Sequence, residues 1–263
     1  MATRPGPARA AAPLLRPLGL TWRLQRGSVA GWATGMFLGG LAYGAIGDDI
    51  KDLLGDSEFS QDVFLQGGGS LVDSFYAAAA LMLALIAAGF SVSSALRAVG
   101  EEDDGRIELL LSTALPRRRW ALSHLAVTVG GTVIVLAAAG LGLGLGFALV
   151  TGDGSAVLRL FGATMSYLPP MLLLVALTWL LYGLVSRWAR VAWLALVFCV
   201  VVMFFGELLR FPQWVLDISP FSHLALVPAE SFAWAPALWV LATAAGITVA
   251  GLAALRHRDL GRA

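Results

Sequence analysis

Residues 97–120 read RAVGEEDDGRIELLLSTALPRRRW and form the one long polar break in the middle of an otherwise apolar chain. Within them Ile107, Leu110, Leu111 and Ala114 recur at i, i+3, i+4 and i+7, a spacing that puts all four on one helical face. Glu101, Glu102, Asp103 and Asp104 precede that face, at what the pattern predicts is the amino end of a helix, where carboxylates complement the positive pole of its dipole. Arg117, Arg118 and Arg119 follow its carboxyl end, where cations are favoured, and Pro116 disfavours helix at Leu115, so the segment stops there. Trp120 and the three arginines suit a headgroup boundary, because an indole is half apolar and arginine stems can lie along lipid. The segment reads as a surface helix that docks onto something at a membrane face; the alternative is a plain charged loop between two spans.

The rest of the chain supports a membrane setting. Of 263 residues 58% are hydrophobic and only 13% charged, with mean hydropathy +0.79, which leaves too little polar surface to coat a soluble globule. A crossing helix needs about 20 mainly apolar residues. Six stretches qualify: 27–46, 73–96, 121–150, 158–186, 191–210 and 234–255. The expected fold is therefore all-α and polytopic, with a basic leader over 1–26, a six-span domain over 27–255 and a short tail over 256–263. Pro169 and Pro170 are expected to kink the fourth span. Residues 211–233 are too apolar for a solvated loop but are broken by Pro212, Pro220 and Pro228, and read as short helices dipping into the outer leaflet. Of the 18 basic residues, only Lys51, Arg159 and Arg210 fall in loops on one side; the other fifteen share the opposite side with both termini. That asymmetry predicts cytoplasmic termini and a cytoplasmic 97–120 segment in a plasma (inner) membrane.

Several chemistries are excluded or weakened. The single lysine, Lys51, follows Ile50, so no G-K-[ST] phosphate loop exists and the chain cannot hydrolyse ATP through one. The lone Cys199 can form no intramolecular disulfide. Gly27, Gly31, Gly35 and Gly39 recur every four residues in the first span, as do Gly140 with Gly144, and Gly142 with Gly146, in the third. Such stripes let backbones approach closely, within one subunit or between subunits. Glu207 and Arg210 are spaced to pair on one helix face and form a candidate outer gate, with a structural pair as the plainer reading.

The segment EEDDGRIELLLSTALPRRRW, followed by ALSHL, resembles the cytoplasmic loop of type-2 ABC exporter permeases, most closely the polyketide-antibiotic exporter branch. WRLQRGS at Trp22–Ser28, GDDI at Gly47–Ile50, PQWVLDISPFSH at Pro212–His223 and RHRDLG at Arg256–Gly261 extend the likeness along nearly the whole chain. The resemblance implies a coupling helix seated on a separate ATP-binding subunit, with Glu102, Gly105, Arg106 and Glu108 at recurring positions and Glu101, Leu110, Leu111 and the three arginines beside them. It implies ATP and magnesium on that partner and no cofactor or metal on this chain. It also implies an outer pair of re-entrant helices, a second six-span half supplied by the same or another chain, a hydrophobic drug-like cargo and no nucleic acid. Permeases of this kind carry two such halves, so the chain is either a half-size permease or part of a longer protein.

Two rivals start from the same residues. Glu101, Glu102 and Arg106 also spell E-E-x-x-x-R, which resembles glutamate-dependent intramembrane proteases, but His124, His223 and His257 lack the flanking residues that those enzymes' other motifs require. A passive scaffold or channel would need a polar lining, and the spans offer little beyond Thr164, Ser166 and Tyr167.

Overall fold

The computed structural model describes residues 16–46, 71–105, 116–206 and 208–257. Among them six helices are long and apolar enough to cross a membrane, and no strand occurs. The chain is thus a multi-pass, all-α membrane protein. In order, α1 is Pro17–Ile46, α2 Leu71–Ala95, α3 Arg97–Asp103, α4 Arg117–Thr151, α5 Ser155–Met165 and α6 Leu168–Leu184. A 3-10 turn, Ser186–Val191, then leads to α7 Ala192–Phe205, α8 Gln213–Leu216 and α9 Trp234–His257.

The first span begins ten residues earlier than position 27, because Pro17 opens a helix readily: its ring fixes φ and its missing N–H would be unpaired there anyway. The fourth span is two helices rather than one kinked helix. α5 ends at Met165, Tyr167 takes a non-helical φ/ψ of −84°/2°, and Pro169 and Pro170 fall in the first turn of α6, where absent donors cost least. Of the short outer helices expected over 211–233, one turn forms, α8; the remainder is turns pinned by Phe221, fully buried and stacked on Tyr167 at 6.3 Å.

α2 is the axis of the bundle, with 78% of its apolar window buried against 22% for α1 and α9. Its alanines at 77, 79, 80, 84, 87 and 88 let neighbours approach without a side-chain layer between. The tightest contacts are backbone to backbone. A Cβ added at Gly142 would lie 2.1 Å from the Phe37 carbonyl oxygen, and one at Gly44 2.2 Å from that of Leu143. Gly40 and Gly146 face the partner helix just as closely, at 2.3 Å each, so α1 and α4 pack through these four glycines. The stripe expected on α1 is displaced from this seam: among the described residues nothing lies within 4 Å of a Cβ at Gly27, Gly31 or Gly35, and one at Gly39 meets a Leu83 methyl at 3.9 Å. Gly140 and Gly144 instead face α5, where an added Cβ would lie 3.0 Å from Thr164 Cβ and 2.7 Å from Val157 Cα, respectively. Gly183 and Gly251 form the equivalent seam between α6 and α9.

At one end of the bundle Asp73 of α2 pairs with Arg159 of α5. Beyond α4, Gly152 caps the helix in the left-handed region at φ 77°, and Asp153 accepts from the Ser155 hydroxyl and N–H, bonds that hold its carboxyl below the usual range.

Candidate functional site

The opposite end carries most of the residues that the sequence singled out. Glu101, Glu102 and Asp103 do not begin a helix but end one: α3 continues the second span through Asp103, and Gly105, at φ 68°, closes it. Carboxylates in a last turn face the negative pole of the dipole, at a cost of about 0.3–1 kcal/mol each when exposed. Partners from other elements offset this. Asp103 pairs with Arg190, and the Ser186 hydroxyl donates to Glu102 at 3.3 Å, both from the 3-10 turn.

Glu101 is held most firmly. Its Oε2 accepts from Trp120 Nε1 at 3.2 Å and from His124 Nε2 at 3.1 Å, and since a carboxylate only accepts, the His124 proton lies on Nε2. The Glu101 side chain is 14% exposed and that of His124 only 3%. Trp120 is 2% exposed and stands against Tyr182 of α6, in a cluster with Trp179, Ala98 and Val99. Trp120, expected to suit a headgroup boundary, is thus buried inside the bundle together with His124 rather than laid against lipid. Trp120 and His124 are four residues apart, so both project from one face of α4 towards the end of α3. That spacing was visible beforehand; that its target was a carboxylate across the gap was not.

Arg117, Arg118 and Arg119 occupy the first turn of α4 after Pro116, exposed and at the positive helix pole, where cations are disfavoured. Arg106, Glu108, Leu110 and Leu111, with the rest of the amphipathic face, lie outside the described residues, as does Glu207. The expected pair of Glu207 with Arg210 therefore lies outside the described residues; around it α7 ends at Phe205, and the Phe211 N–H closes a wider turn onto the Gly206 carbonyl. Arg210 itself is exposed with φ 50°.

Above the Glu101 junction runs a buried polar ladder. Ser94 donates to Gln25 Oε1 at 2.6 Å and lies 3.0 Å from the Thr128 hydroxyl, Thr132 donates to Ser91 at 3.0 Å, and Thr21 sits 3.4 Å from Ser123. These bonds tie α1, α2 and α4 where apolar contact alone gives little direction in lipid. Their signal was a four-residue spacing, Thr21 with Gln25 and Thr128 with Thr132, that the apolar average conceals. At the Asp73 end an apolar cavity of about 580 Å³ opens between α5, the start of α6 and α9, walled by Leu158, Ala163, Pro169, Phe232, Trp234 and Leu241 with Arg159 at its edge. Among the described residues no three His, Cys, Asp or Glu side chains gather as metal ligands.

Comparison with known proteins places this architecture. The family described as "Multidrug efflux system permease Rv1217c, C-terminal domain" matches residues 14–256. The multidrug efflux system permease protein Rv1217c of Mycobacterium tuberculosis (strain ATCC 25618 / H37Rv) is 38% identical over 99% of this chain. The chain spans about half the length of that relative, 48%. A match along nearly every described helix, rather than over one motif, means that the chain belongs to the family of the Rv1217c-type multidrug efflux permease C-terminal domain.

Proposed function

We propose that the chain is a six-span permease half of an ATP-driven ABC exporter that moves hydrophobic, drug-like molecules out of the cell. The observation that carries this reading is the match to a multidrug efflux permease along residues 14–256. With no phosphate loop of its own, the chain depends on a separate subunit that binds ATP and magnesium, and on a second six-span half from the same or another chain. The membrane is the plasma membrane, with both termini cytoplasmic. The cavity of about 580 Å³ lies in the range of small-molecule sites, about 300–1,000 Å³, and its apolar walls suit an amphiphilic cargo.

Residues 106–115 form the coupling element. They leave from α3 and return at α4, and Glu101 bonded to Trp120 and His124 clamps these two attachment points together. A push on the segment is then delivered to the second and third spans as one unit. Glu102, Gly105, Arg106, Glu108, Leu110, Leu111 and the three arginines make up the face towards the ATPase, with Glu101 behind it as the clamp.

Arg106→Ala, Glu108→Ala and Leu110→Asp are expected to leave membrane insertion normal but to weaken co-purification of the ATPase or abolish cargo-stimulated hydrolysis. A charge-assisted bond lost from such a contact is worth about 1.5–3 kcal/mol. Three variants that assemble and transport like the parent would reduce the segment to a charged loop. Orientation has its own check: in intact cells Ser57→Cys should react with a membrane-impermeant thiol reagent and Ser112→Cys should not.

A further inference from the structure

The break between α5 and α6 leaves an imbalance of hydrogen-bonding groups at the wall of the outer cavity. In an α-helix each carbonyl accepts from the N–H four residues on, so the last carbonyls of a helix need donors from elsewhere. At the end of α5 three of them find one. The Ser166 N–H donates to the Gly162 carbonyl at 3.0 Å, the Ser166 hydroxyl to that of Ala163 at 2.6 Å and the Tyr167 N–H to that of Thr164 at 3.2 Å. The carbonyls of Met165 and Ser166 come next, and the residues four further on are Pro169 and Pro170, which have no N–H. Among the described residues no other donor takes their place. Two acceptors thus stand at the negative pole of α5, while the first turn of α6, which would otherwise offer donors beside them, has lost two of its own. Met165, Ser166 and Pro169 all line the cavity of about 580 Å³, whose other walls include the apolar Leu158, Phe232 and Leu241.

We propose that this cavity selects neutral apolar molecules that carry a hydroxyl or N–H donor, which the Met165 and Ser166 carbonyls accept while the apolar body fills the space towards α9. A ligand without a donor would cover these carbonyls and leave them unpaired in an apolar setting, which is costly. Charge of either sign is disfavoured. No carboxylate lines the cavity to hold a cation, and its one guanidinium, Arg159 at the edge, is already engaged by Asp73. A carboxylate ligand would moreover set its oxygens against the two carbonyls. The inference rests on the reading of this cavity as the place of the cargo and narrows the cargo's chemistry from hydrophobic to hydrophobic with a donor.

The test uses the purified full chain in detergent, without the ATPase, and two probes that differ in one donor. One is a para-octyl phenol with a bromine at the end of its chain, the other its methyl ether, and the bromine quenches Trp234 on the cavity wall. Trp234→Phe gives the background from the other tryptophans. One hydrogen bond contributes about 1 kcal/mol, about fivefold in affinity, so the phenol should bind about five times more tightly than the ether. Pro169→Ala with Pro170→Ala returns both N–H groups, and the phenol-to-ether ratio should fall by about that factor; comparison on the same probes cancels their unequal partition into detergent. The matching benzoate, which has acceptors only, should bind no better than the ether. Methionine labelled with carbon-13 at the carbonyl gives a second readout if the double variant fails to fold. The Met165 amide band, identified by its loss in Met165→Leu, should move to lower frequency with the phenol and stay in place with the ether. A ratio unchanged by the proline replacements, tighter binding of the benzoate than of the phenol, or a Met165 band unmoved by the phenol would each overturn the proposal. The transport reading fails on a different result, the absence of cargo efflux from the assembled exporter.

Discussion

Gly142→Leu is expected to prevent the bundle from assembling, and Gly142→Ala alone to lower its stability by about 1–3 kcal/mol or more. The reason is what the new atom meets. A Cβ at Gly142 would lie 2.1 Å from the Phe37 carbonyl oxygen and 3.0 Å from the Leu41 nitrogen, and neither backbone atom can rotate aside as a side chain would. The helices must separate, and a gap of 0.5–1 Å forfeits roughly a quarter to a half of each dispersion contact across the seam. In lipid this loss is not recovered elsewhere, because packing rather than water exclusion drives helices together. Gly31→Ala and Gly35→Ala provide the contrast: among the described residues their Cβ positions meet nothing within 4 Å, and alanine is favoured over glycine in a helix by about 0.8–1 kcal/mol. Thermal unfolding of the purified chain in detergent should therefore rank Gly142→Ala well below the parent and the α1 variants at or above it. Equal melting temperatures across the three would show that the α1–α4 seam is not the close contact described above.

The second large effect is expected at Glu101. Glu101→Ala leaves the N–H groups of Trp120 and His124 buried without an acceptor, and an unsatisfied buried donor costs about 1–3 kcal/mol. Glu101→Gln retains one acceptor oxygen and should fall between alanine and the parent. Asp103→Ala is the control, since its partner Arg190 is 63% exposed and such pairs contribute about 0.2–1 kcal/mol. Amide hydrogen exchange along α3 reports the structural consequence: the end of the helix should open in Glu101→Ala and stay protected in Asp103→Ala. In the assembled exporter Glu101→Ala should preserve ATP hydrolysis while transport falls, because the segment 106–115 would then move without carrying the third span. Protection of α3 equal to the parent, with transport intact, would remove Glu101 from the coupling path.

Much of this architecture was legible from one dimension. Spans are continuous apolar runs of fixed minimum length, so composition locates most of them to within a few residues, as at the sixth, expected at 234–255 and found as Trp234–His257, although the first begins ten residues ahead of its apolar run. A disturbance of the fourth span near Pro169 and Pro170 followed from local chemistry, though as a kink rather than the break into two helices that forms, and the absence of a phosphate loop is read directly from the residues. Relations between helices were not legible in this way. A four-residue glycine repeat is equally regular at Gly27–Gly39 and at Gly40 with Gly44, and only the approach of α4 selects the second. The same holds for charge. Read along the chain, Glu101 to Asp104 looked like the acidic start of a surface helix; folded, they end a membrane helix at its unfavourable pole. What makes that tolerable is a tryptophan and a histidine from α4 and an arginine and a serine beyond α6, whose nearness arises only when the helices pack. Apolar periodicity is a local property that each segment carries by itself, so it survives in the sequence. The partner of a buried polar group is set by helix rotation and approach, and those depend on every other helix in the bundle.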